Sequence, residues 1–102
     1  MKINSIGILM LLVPLGAWAQ QDAKDIYLDK CAVCHGADGA AKTARGKKLK
    51  VKDVHEAASK MKPDEMIKIV ENGKPPDMDA YGKTLSKDQV KAVVDYYRGL
   101  AK

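Results

Sequence analysis

Apolar positions along this chain recur at helical spacing, and strand-like alternation is nearly absent. Asp22 can cap a helix running to about Cys34, with Ala23, Ile26 and Tyr27 on one face. From His35 to Lys52 three glycines and weak apolar periodicity predict a loop. Asp53 and Glu56 have capping-box spacing ahead of Val54, Ala57, Ala58 and Met61, which predicts a short helix. Pro63 suits the first position of another helix, and Asp64 and Glu65 suit the positive end of its dipole. Its buried stripe is Met66, Ile67 and Val70, and Asn72-Gly73 stops it. Lys74 to Gly82 reads as a second loop, because Pro75-Pro76 cannot continue a helix. Ser86 and Gln89 then form a capping box for a last helix with the stripe Val90, Val93, Val94, Tyr97 and Leu100. The pattern predicts one all-α domain of about four helices and two loops.

The first nineteen residues follow another pattern. Lys2 gives a positive start, Ile6 to Leu15 an apolar run, and Ala17-Trp18-Ala19 a small-x-small cleavage site. Residues 1–19 are expected to be a secretory signal peptide and 20–102 the mature domain. The apolar run is about half the roughly 20 residues that span a bilayer, so no membrane span is expected after cleavage. The product is expected to be exported to the periplasm.

Composition sharpens the picture. The chain has 102 residues and no Phe, and its one Trp lies in the leader. A domain this small buries only about 60% of its chain surface, and such scaffolds usually add a disulfide, a metal or a large ligand. A chain without its ligand is expected to be largely unfolded. The size excludes a large enzyme and a polytopic membrane protein.

Two cysteines supply the chemistry: Cys31-Ala32-Val33-Cys34-His35. In an exported protein this string reads as covalent haem attachment. Thiols three apart lie on one side of a helical turn and can reach the vinyl groups of one porphyrin edge, and His35 then presents an imidazole to the iron. A zinc site would need two more ligands at similar spacing. A thioredoxin-like pair would need a βαβ context, and a disulfide across two residues would close too small a loop to stabilise much.

The whole string set resembles a small bacterial class I cytochrome c over residues 22–101. Met78-Asp79-Ala80-Tyr81-Gly82 is similar to the family's Met-Pro-Ala-Phe/Tyr-Gly loop, and Val94-Asp95-Tyr96-Tyr97-Arg98 to its C-terminal helix. The resemblance implies one covalently bound haem c with its iron, and electron transfer without catalysis of its own. It also implies that the first and last helices cross with Tyr27 near Tyr96 or Tyr97. The His35 ring would donate to the carbonyl of Lys47, where the family often has proline. The chain departs from the family at Ala23 for Gly and at Asp79 for Pro.

Met78 sits between two aspartates in a proline-containing loop, where an apolar side chain has no packing motive, and is read as the second axial ligand. Met61 and Met66 lie on helical stripes and are read as core. His55 lies off the apolar face and is read as a surface residue. Lys42, Arg45, Lys47, Lys48, Lys50 and Lys52 put six cations in eleven residues, within a chain of net charge +5. Such a run is a solvated loop or a docking face for an acidic redox partner protein. Without interleaved aromatics it is not read as a nucleic-acid site. The expected function is a monomeric one-electron carrier with Cys31 and Cys34 bonded to haem and His35 and Met78 on iron. The alternative is a haem module that binds a small ligand by displacing its sixth ligand.

Overall fold

The computed structural model describes residues 22–102. The expected leader, 1–19, lies outside the described residues. Among these the protein is all-α, and its one strand-like feature is a single antiparallel pairing of Lys74 with Met78.

The first helical run, α1 (22–35), is not regular. Its segment Tyr27–Cys31 is a π-helix, in which the Ala32 N–H reaches back five residues to the Tyr27 carbonyl. Ordinary α-helix resumes over Ala32–His35 and stops at Gly36, whose φ of 83° suits glycine.

The segment read as a long loop contains a short helix, α2 (Ala44–Lys48). Thr43 makes it possible: its hydroxyl donates to the Val33 carbonyl at 2.7 Å and accepts from the Gly46 N–H at 2.9 Å. One side chain thus closes the end of α1 and caps α2. The remaining loop is fastened by Ala41 N–H to the His35 carbonyl (2.8 Å) and Val54 N–H to the Gly39 carbonyl (2.8 Å).

The next helix, α3 (Val54–Lys60), starts at Asp53, whose carboxylate accepts from the His55 N–H at 2.7 Å. That bond holds the Asp53 carboxyl below its usual range. The expected box with Glu56 does not form, because Glu56 pairs with Lys60 at 3.2 Å instead. In α4 (Pro63–Asn72) the Glu65 carboxylate accepts from the Lys62 N–H at 2.8 Å, and Gly73 ends the helix as expected. At the start of α5 (Lys87–Gly99) both halves of the expected box are present: Gln89 N–H to the Ser86 hydroxyl (3.1 Å) and Ser86 N–H to Gln89 (2.8 Å).

Helix α5 packs on α4, α3 and α1, and so organises the fold. Its Val90, Val93 and Val94 are buried, each contributing about 1.5–3 kcal/mol by leaving water. Where α5 meets α1, Tyr27 lies 5.4 Å from Tyr96 and 6.0 Å from Tyr97, centroid to centroid. The buried Tyr27 hydroxyl donates to the Gly36 carbonyl at 2.6 Å, tying the middle of α1 to its end. Replacing Ser86 by Ala should cost about 1 kcal/mol in a denaturation curve of the haem-loaded protein, because the Gln89 N–H loses its acceptor while the bond from the residue-86 N–H to Gln89 stays.

Candidate functional site

The helices surround a cavity of about 600 Å³. Cys31, Cys34 and His35 from α1 line it together with Met61, Met66 and Met78. The structure therefore brings together the four residues singled out in the sequence.

Both cysteines are free thiols. Burial pushes the Cys31 thiol up to about 11, against the opposing pull of Lys30. Burial also holds His35 below the usual histidine range, so near neutral pH the ring is uncharged and keeps a lone pair for a metal. Tyr97 meets this ring edge-on at 5.2 Å. The expected bond from His35 to the Lys47 carbonyl is not made: Nδ1 is buried without a partner. The Lys47 carbonyl instead receives the Lys50 N–H at 3.3 Å, because α2 turns the chain there.

Met78 is held by its backbone. Its N–H and carbonyl both bond Lys74, each at 2.9 Å, closing a five-residue turn. That turn folds tightly onto Gly73, where an added Cβ would come within 2.7 Å of the Met78 carbonyl oxygen and 2.8 Å of the Ala80 nitrogen. The two carbonyls at the end of α4 are satisfied by the loop's exit, Tyr81 N–H to Val70 (2.9 Å) and Gly82 N–H to Glu71 (3.0 Å). The Tyr81 hydroxyl reaches the Lys30 carbonyl at 3.5 Å, which links the Met78 loop to the helix bearing the cysteines.

The competing residues fall where the sequence put them. His55 is 67% exposed at its side chain, holds Asp53 at 2.7 Å and does not line the cavity. Met66 is 4% exposed and packs with Ala57 and Val94, with Met61 partly buried against that cluster. Of the basic run, Arg45, Lys50 and Lys52 border the cavity, and Lys52 also pairs with Glu56 at 3.6 Å. Sequence reasoning missed the parts played by Thr43 and Tyr81. The Thr43-x-x-Gly46 spacing at a helix start was a readable signal for the first; nothing local marks the second.

The site fits a haem. Two thiols on one helix, an uncharged buried imidazole and a thioether face one cavity, of a size usual for bound cofactors, about 300–1,000 Å³. Soft sulfur and imidazole donors suit porphyrin iron. Among the described residues no group of three His, Cys, Asp or Glu side chains could hold a bare metal ion instead.

Fold and site together are those of a small monohaem c-type cytochrome, with covalently bound haem c and its iron. The family described as cytochrome C oxidase, cbb3-type, subunit III matches residues 19–96, and the chain belongs to it. The solved structure of the KustC0563 c-type cytochrome is similar, with a TM-score of 0.73 and 31% identity over 79% of this chain and 99% of that one. Among curated proteins, none matches. No described helix is long and apolar enough to cross a membrane.

Gly73→Ala should open the Met78 loop, since it combines a φ of 72° with the contacts above. A backbone with φ of 72° and ψ of −180° is nearly exclusive to glycine and alone costs another residue about 1–3 kcal/mol. Hydrogen exchange should show selective loss of protection at the Lys74 and Met78 amides.

Proposed function

We infer that this protein is an exported, periplasmic, monomeric one-electron carrier in which Cys31 and Cys34 hold haem c as thioethers and His35 and Met78 are its axial ligands. The observation that carries this reading is the convergence of those four side chains on one cavity. A haem bound there supplies an iron that gains and loses one electron. The chain's residues do the rest. His35 offers a neutral nitrogen, kept uncharged by burial. Met78 offers a neutral, soft sulfur that favours the reduced metal and raises the potential. Its loop is pinned at both ends, so the ligand stays in place while the charge changes. With His35 and Met78 both holding the iron, it would exchange electrons without binding a substrate.

A purified-protein spectrum separates this carrier from a small-ligand-binding module. The reduced native protein should not change on addition of carbon monoxide. Met78→Ala should bind carbon monoxide, lower the potential and lose the sulfur-to-iron charge-transfer band of the oxidised form. Met66→Ala should keep that band and lose about 2–5 kcal/mol of stability. Carbon monoxide binding by the native protein would favour the ligand-binding module. If His55→Ala lost the sixth ligand and Met78→Ala kept it, the pair would be bis-histidine.

The cations beside the cavity support an acidic partner protein. Arg45 and Lys50 border it, and exposed Lys47 and Lys48 stand on α2 next to them. Exposed charges act over about 8 Å at physiological salt, so electron transfer with an acidic partner should slow steeply as ionic strength rises. Charge reversal at Lys47, Lys48 and Lys50 should slow that transfer and leave the potential nearly unchanged. A flat salt dependence of the native rate would make the run an ordinary solvated surface.

A further inference from the structure

Three methionines, Met61, Met66 and Met78, line the same cavity, and each carries a sulfur that could bind iron. Loop position alone does not exclude the other two. Met66 is the stronger competitor, because it sits in a buried core cluster on α4 facing the same space. A further contact distinguishes it. The Arg98 guanidinium, from the last turn of α5, places Nη1 3.6 Å from the Met66 sulfur. The same nitrogen donates to the Met61 carbonyl at 2.7 Å. One half-buried cation therefore holds both methionines that are not on the loop.

We propose that Arg98 selects the axial sulfur: by engaging the Met66 thioether and anchoring the Met61 backbone, it withholds both from the iron and leaves the position to Met78. The inference rests on the reading of Met78 as ligand. Its physical basis is position and charge. A sulfur held beside a cation, with its side chain packed against Ala57 and Val94, is the weaker donor and must leave both that contact and that packing to turn toward a metal. Arg98 cannot lose its charge in a protein, so the restraint persists at every working pH. Arg98 does not line the cavity, and it is a positioning residue.

The test uses the haem-loaded protein and reads the charge-transfer band, the methyl signals of carbon-13-methyl methionine in the reduced form, and carbon monoxide affinity. Met78→Ala alone should lack the thioether signature and bind carbon monoxide. Adding Arg98→Leu should restore a thioether signature and weaken carbon monoxide binding about tenfold, the order of one charge-assisted hydrogen bond. Adding Met66→Leu as a third change should abolish the restored signal, which assigns it to Met66. Arg98→Gln keeps an amide donor for the Met61 carbonyl and is read in the same way, so misfolding of the leucine variant does not decide the matter. A folded Arg98 variant of the Met78→Ala protein that gains no thioether signal would overturn the inference and leave the Met78 reading intact. A thioether signature surviving in Met78→Ala with Arg98 present would overturn the Met78 reading itself, and the selection by Arg98 with it.

Discussion

An apolar cavity at the centre of a small chain is the constraint on which the rest of the structure depends. Among the described residues only nine apolar side chains are buried, and four of them are valine and three alanine. The helices consequently form a shell whose inner wall is shared between packing and chemistry. Val93 and Val94 are core residues of α5 and also face the cavity, as Met66 does from α4. A side chain placed there stabilises the fold and shapes the haem site in the same act. This is why a domain without Phe and with its only Trp outside the described residues still has a defined interior.

The two halves of the candidate site come from segments far apart in sequence, and each is held by backbone bonding more than by bulk. His35 closes α1, and the loop after it folds back through Ala41 and Thr43. Met78 stands on a turn that uses the exposed carbonyls at the end of α4 as its anchor. Tyr81 joins the two halves through the Lys30 carbonyl. Side chains carried on helices and pinned turns hold their geometry more tightly than side chains on free loops.

Legibility followed the range of the interactions. Helices α4 and α5 were readable because Pro63, Gly73, Ser86 and Gln89 act within a turn of themselves. The four residues that share the cavity stood out in the sequence because their chemistry is unusual for their positions. Helix α2 was hidden, since its cap, Thr43, is fixed partly by the Val33 carbonyl ten residues away. The Glu56 half of a box at α3 was misjudged because Lys60, four residues on, competes for the same carboxylate. The acceptor assigned to His35 came from a resemblance carried by proline; with Lys47 in its place the segment winds into a helix and spends that carbonyl on Lys50. Contacts such as Arg98 to Met61, across 37 residues, leave no trace in local pattern.

The π-helical turn in α1 has a geometric meaning for the whole molecule. On an α-helix each step of four residues overshoots a full revolution by about 40°, so a face defined by Ala23 and Tyr27 would drift away from Cys31. A wider turn over Tyr27–Cys31 takes back part of that drift. Tyr27, at the start of the turn, can meet α5 while Cys31 at its end and Cys34 and His35 beyond it line the cavity. The turn works as a rotational adjuster between scaffold and cofactor. It also means that a single helical wheel drawn through 22–35 misplaces one half of the segment, and that the azimuth of the cysteines is set by an extra residue rather than by the packing of the helix that carries them.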